Sequence, residues 1–313
     1  MKICRRFIAC FALAVMVLPA QSQGRGQRPG VVAPTHADVV YGAHVRNRLD
    51  LWLAPVEKAT PLLICIHGGG FVGGDKKLYH KNRGLLKTML DAGVSVAAIN
   101  YRLTEGGKNP YPGPMLDGAR AVQFLRFNAR KYNLNKKRFA ATGGSAGGMM
   151  LLWLGFHPDL AQPDHADPVL RESSRLQVLA PQNGPTSVHV PTLEKWFGVK
   201  SLVPHPAFRP LFGLAATGPL EVTEELVRAM HDASPITHLT AADPPAYLAH
   251  GPDKPVNEAS KPGLWVHHPV MGKELKKAMT ALGLECHLQY ARGPRVKGYR
   301  SQIDFIVRKL TQP

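Results

Sequence analysis

The chain has 313 residues, 39 Lys and Arg against 22 Asp and Glu for a formal charge of +17, and only four cysteines. That length suits one large domain with a well-buried core, and so few cysteines exclude a disulfide framework. The basic residues are scattered and no nucleic-acid motif accompanies them, so nucleic acid is not an expected partner. The surplus reads first as a solubilising surface, then as a bias toward acidic substrates, polyanionic glycans or an anionic envelope.

Lys2, Arg5 and Arg6 precede an apolar run from Phe7 to about Ala20, and Ala20 and Ser22 offer a small-residue cleavage site. Residues 1–22 therefore read as a signal peptide, which implies a secreted or periplasmic protein. The run is short for a membrane span, so no stable membrane insertion is expected after cleavage. The Gly/Pro/Arg-rich stretch at 23–37 reads as a flexible lead-in, and 38–313 as one domain.

Within that domain β-rich runs alternate with helical patterns, the signature of a mostly parallel sheet covered by helices on both faces. Val39 to Tyr41 and Leu49 to Leu53 read as early strands. Leu62 to Ile66 is a continuous apolar run ending in glycines, as a central parallel strand requires. A helix through Leu85, Leu86, Met89 and Leu90 closes at Gly93, and Val94 to Ile99 is the next strand. Leu116, Ala119, Val122 and Leu125 recur at helical spacing. Phe139 to Thr142 is a strand that runs into Gly143-Gly144-Ser145-Ala146-Gly147, and an apolar helix from Met149 to Leu154 follows. Leu176 to Ala180 and Ala246 to Ala249 are further strands. Between them, at 184–243, the pattern breaks into Pro-rich, short-helix sequence, placed where an insertion caps a site at the C-terminal ends of the strands. A helix from Met271 to Leu282 with Gly283 behind it, a strand from Glu285 to Tyr290 and a helix from Ser301 to Leu310 complete the chain. Cys65 and Cys286 fall in separate strands and are expected to remain unpaired.

Gly143 to Gly147 fits G-x-S-x-G between a strand and an apolar helix. A serine there stands on a turn sharp enough to expose its hydroxyl above the sheet, which makes Ser145 the candidate nucleophile. His67-Gly68-Gly69-Gly70-Phe71 follows an earlier strand. Glycines let its N–H groups face a cavity, so Gly69 and Gly70, with Ala146, are the candidate oxyanion hole.

The HGGG-type loop, the Gly-Gly-Ser-Ala-Gly-Gly elbow, Asn100-Tyr101-Arg102 and Asp117 together resemble the hormone-sensitive-lipase-like esterases. They are equally similar to the carboxylesterase and the feruloyl or acetylxylan esterase lineages. The resemblance runs from about Val39 to the C-terminus, tight from Pro61 to Leu154 and loose after about Gly184. It implies an α/β-hydrolase fold with a small cap, and hydrolysis of a carboxylic ester, short-chain or carbohydrate-linked, by a Ser-His-Asp triad with no cofactor and no metal. His250-Gly251-Pro252-Asp253 resembles the family's H-G-x-x-D but is one residue shorter, and makes Asp253 the candidate acid. Asp243 precedes that strand and reads as a turn or capping residue.

The histidine departs from the pattern. Relatives carry it between the last strand and the terminal helix, where this chain reads Ala291 to Tyr299 with none. His267 or His268 from the preceding loop could serve, and the reading settles on His268. Lys297 or Tyr299 could substitute. A chain with no base would be a catalytically silent binding protein of the same fold. His250 and His287 read as structural, while His189, His205 and His231 fall in the cap. Asp164, His165 and Asp167 read as a solvated loop rather than metal ligands.

Overall fold

The computed structural model describes residues 32–312 apart from 216, 219 and 220; the leader expected at 1–22 and most of the lead-in at 23–37 lie outside the described residues. Two short strands, β1 (His36–Val40) and β2 (Arg48–Trp52), lead into β3 (Thr60–Ile66), α1 (Arg83–Asp91), β4 (Ser95–Ile99) and α2 (Gly113–Phe127). Then come β5 (Leu134–Gly144), α3 (Ala146–Phe156), β6 (Val178–Gln182), α4 (Val190–Phe197), α5 (Phe208–Leu211) and α6 (Glu224–Asp232). The chain closes with β7 (Ala246–Pro252), α7 (Pro262–Val266), α8 (Pro269–Ala281), β8 (Cys286–Ala291) and α9 (Gln302–Thr311).

The eight strands form one sheet in the order β1-β2-β4-β3-β5-β6-β7-β8. Only β2 runs against the rest, pairing antiparallel with both β1 and β4, while the other neighbours are parallel. The unbroken apolar run of β3 follows from burial on both faces. Leu62, Ile64 and Ile66 join a core that includes residues of α2, α3 and α8, and Leu63 and Cys65 join a second core with α1 and α9. Each fully buried aliphatic side chain there contributes roughly 1.5–3 kcal/mol.

Two elements differ from the sequence expectation. Leu116 is 45% exposed, because the face of α2 that meets α3 runs through Met115, Gly118 and Ala119; a Cβ at Gly118 would sit 2.7 Å from Met150 Sδ. The fifth strand starts earlier than its apolar run, since Leu134 already pairs with Thr60 before the register shifts. Residues 184–243 carry α4, α5 and α6 and pack Leu193, Phe208, Leu211, Leu226 and Met230 onto the α3 side of the core. Cys65 and Cys286 are both buried and free, with β5, β6 and β7 between their strands. Among the described residues no helix is long and apolar enough to cross a membrane.

Candidate active site

Ser145 sits between the last residue of β5 and the first of α3, with φ 52° and ψ −118°. Such a conformation is rare for a residue with a side chain and costs on the order of 1–3 kcal/mol, so the surroundings must hold it. They do so from three sides. The Ser145 N–H donates to Gln182 O on β6 at 2.8 Å, its carbonyl accepts Met149 N at 2.9 Å in the first turn of α3, and α3 is buried along its whole length. Gly147 lets that turn press onto the end of β3: a Cβ there would lie 2.2 Å from Ile66 O and 2.7 Å from His67 O.

The loop after β3 is fixed just as firmly. The His67 ring stacks on Tyr101 at 4.3 Å, and its Nδ1 lies 2.8 Å from Gly68 O. Arg46 bridges Tyr101 O and Gly74 O. Beyond the loop, buried Lys76 pairs with Asp50 at 2.6 Å, and the Asp50 carboxylate also meets His80 Nε2 at 2.6 Å. Gly69 and Gly70 take φ of 108° and 60°, which glycine allows freely. Among the described residues no protein acceptor takes the N–H of Gly69, Gly70 or Ala146.

His267 Nε2 lies 2.8 Å from Ser145 Oγ. The ring is carried at the C-terminal end of α7. Burial holds its pKa below the ordinary histidine value, and a backbone hydrogen-bond partner at Gly263 pulls it partly back. A neutral ring that accepts from Ser145 at Nε2 carries its proton on Nδ1, toward that backbone.

The geometry corrects the expectation for His268. Pro269 begins α8, so His268 is its N-cap: Nδ1 accepts Val270 N at 3.1 Å, and Nε2 lies 2.7 Å from Lys254 O and 3.3 Å from Asp253 Oδ1. Both nitrogens are occupied and the residue is buried, so it does not face Ser145. Asp253 is displaced with it. Its carboxylate meets His268 and Lys273, not His267, because β7 runs on to Pro252 and the shortened turn keeps Asp253 with α8.

The other sequence candidates have separate employment. His250 Nδ1 lies 3.4 Å from His267 O, and burial pushes this ring down to about 4, so it supports the loop as a neutral strut. Asp243 accepts Thr240 N and pairs with Arg175, and burial raises its pKa. Tyr299, in the segment where relatives place their histidine, donates to Glu285, which also pairs with His287. His189 contacts Thr192, and its ring meets that of His231 edge-on. Asp167 caps a short 3-10 helix and pairs with Arg120, and His165 accepts its N–H. Among the described histidines of residues 184–243, His205 lines a pocket beside Ser145.

Ser145 opens onto two spaces. One is a cleft of about 980 Å³ lined by Gly68, Gly69, Asp75, Asn183, His267 and Gln302 among others. The other is a small pocket of about 30 Å³ beside Gly70 and Ala146, walled by Met149 and by Val188, Phe208 and Leu211 of the insertion. Of the two adjacent histidines that the sequence offers as the base, the one that faces Ser145 is His267 and not the preferred His268. The dipeptide His-His before a proline held the signal, since proline at the first helical position turns the residue before it into the cap.

The BD-FAE family model matches residues 49–261. Among curated proteins, the probable carboxylic ester hydrolase LipM of Mycobacterium tuberculosis is 27% identical over 68% of this chain and 47% of its own length. Esterase LipQ of the same organism is 26% identical over 70% and 49%. The chain thus spans about half the length of the curated relatives it matches. Among solved structures, a truncated carbohydrate esterase from gut microbiota superposes with a TM-score of 0.68 at 19% identity, covering 92% of this chain and all of that one. An acetyl ester-xyloside bifunctional hydrolase from Caldicellulosiruptor lactoaceticus gives 0.63 at 20% identity, over 84% and 88%. These likenesses speak for the fold. With the family model covering more than half of its residues, the chain belongs to the BD-FAE family and has the α/β-hydrolase fold.

Proposed function

We propose that this protein hydrolyses carboxylic esters through Ser145 and His267. The observation that carries the reading is the 2.8 Å contact between Ser145 Oγ and His267 Nε2 at a strained strand-to-helix turn. His267 takes the hydroxyl proton as Oγ bonds to the acyl carbon, and the N–H groups of Gly69, Gly70 and Ala146 receive the oxyanion. The C–O bond then breaks, and His267 returns the proton to the departing alcohol. Water repeats the sequence and releases the carboxylic acid.

The acyl pocket holds on the order of two water-sized spheres, which favours short acyl groups. The cleft is lined largely by apolar surface, but Asp75, Asn82 and Asn183 offer hydrogen-bonding groups to a hydroxyl-bearing alcohol, in keeping with the carbohydrate esterase among the structural relatives. Residues 184–243 act as the cap that sets acyl size, and the leader at 1–22 directs export. The rival reading, a silent binding protein, has the backbone partner of His267 in its favour, since among the described residues no carboxylate orients the ring. A fluorophosphonate probe separates the two. It should label the parent and leave Ser145→Ala unlabelled and inactive on 4-nitrophenyl acetate. An unlabelled, inactive parent supports the binding protein, and labelling that survives Ser145→Ala removes Ser145 as the nucleophile.

A further inference from the structure

The departing alcohol must meet His267 to collect its proton. His267 lines only the large cleft, so the alcohol belongs there and the acyl chain belongs in the small pocket. This assignment rests on the esterase reading above. The pocket walls are apolar, with Phe71, Met149, Val188, Phe208, Leu211 and Val266 around the serine. Apart from Ser145, a single polar side chain lines it, that of His205.

The protonation state of His205 can be read from its partner. Its Nδ1 accepts the backbone N–H of Ala207 at 3.2 Å, so Nδ1 carries no proton and the neutral ring holds it on Nε2. Burial, reinforced by the nearby His267, keeps its pKa below the ordinary value and the ring neutral. Among the described residues no protein acceptor meets Nε2, and that atom is not sealed in the core. The ring is also held in place. Cε1, between the two nitrogens, lies 4.0 Å from where a Cβ of Gly70 would stand. Phe208 N donates to His205 O at 2.8 Å, and the Trp265 indole, two residues before His267, donates to Val203 O at 3.2 Å. The histidine that lines the pocket and the histidine that meets Ser145 are therefore set against each other by one short brace.

We propose that His205 is a specificity-determining residue of the acyl pocket, selecting short acyl groups with an acceptor oxygen on carbon 2, such as glycoloyl or lactoyl, over plain alkyl chains. An alkyl acyl group displaces water from Nε2–H and offers no acceptor in return, whereas a 2-oxygen replaces the lost bond at almost no change in volume. Sites that hydrogen-bond a substrate discriminate against its isosteres for this reason.

Phenyl glycolate and phenyl propionate differ by one hydroxyl for one methyl, and phenol release reports kcat/KM for both. The ratio of the two, compared between proteins, cancels their different intrinsic reactivity. His205→Leu should lower the glycolate-to-propionate ratio about tenfold, the size of one neutral hydrogen bond. His205→Gln, which can place an N–H donor near the same spot, should restore much of it. An unchanged ratio in His205→Leu, with both esters still hydrolysed and Ser145→Ala inactive, overturns the role of His205 and leaves the esterase reading standing. A parent that hydrolyses neither ester overturns both.

Discussion

Acid should weaken this fold through His250 in particular. The ring is 9% exposed beneath the loop that carries His267, and its pKa falls from 6.5 to about 4, through burial above all, with the His267 and His268 rings adding to the shift. The folded state thus resists a proton that the unfolded chain accepts readily. Between pH 6.5 and about 4 the unfolded chain binds more protons at this site, so stability drops as pH falls through that window and levels off below it. At 1.36 kcal/mol per unit, the full shift corresponds to about 3 kcal/mol, of which about 2 kcal/mol is spent by roughly pH 5. His250→Asn removes the titration while keeping an N–H that can reach His267 O. Urea unfolding, followed by the fluorescence of the buried Trp52, Trp153 and Trp265, gives stability for both proteins from about pH 8 to about pH 5. Whatever the substitution costs at neutral pH, the parent should lose about 2 kcal/mol more than the variant on acidification. Parallel losses would refute the assignment of His250 as a buried neutral strut.

Two further outcomes follow from the same geometry. Gly147→Ala drives a Cβ to 2.2 Å from a backbone oxygen and should cost about 3 kcal/mol or more in thermal unfolding, whereas Gly144→Ala, whose nearest obstacle is 3.9 Å away, should cost under about 1 kcal/mol; equal effects would mean that the elbow is not packed as described. Because burial lowers the pKa of His267 and the neutral ring is the base, activity should persist as pH drops past 6.5, the acid limb of kcat/KM lying below that value; a midpoint at or above it would contradict the burial of this ring.

Much of this architecture was legible in the sequence, and the reason differs by element. The run Leu62 to Ile66, and Phe139 to Ala141 in the strand leading to Ser145, announce themselves because burial on both faces keeps them apolar. The elbow and the Gly69-Gly70 loop are visible because their backbones need residues without a side chain in the way. The histidine was harder. His267 and His268 are adjacent in sequence, yet one ring caps α8 while the other swings to Ser145, a divergence set by helix phase around Pro269 and not by periodicity. Asp253 was read from a motif one residue short, and that single residue keeps its carboxylate on Lys273 and His268. Nothing in the pattern around His205 distinguished it from His189 and His231; its place in the pocket depends on how α5 packs against α7, a contact distant in sequence.

The most direct test of the account compares kcat/KM on 4-nitrophenyl acetate for His267→Ala and His268→Asn. Asn keeps a capping side chain for α8, so that variant isolates chemistry from helix stability. His267→Ala should fall by about 10³-fold or more and match Ser145→Ala, because a nucleophile and its base fail as a unit, while His268→Asn stays within about tenfold of the parent. If His268→Asn matches Ser145→Ala and His267→Ala keeps the parent's activity, the base is not the residue that the 2.8 Å contact designates.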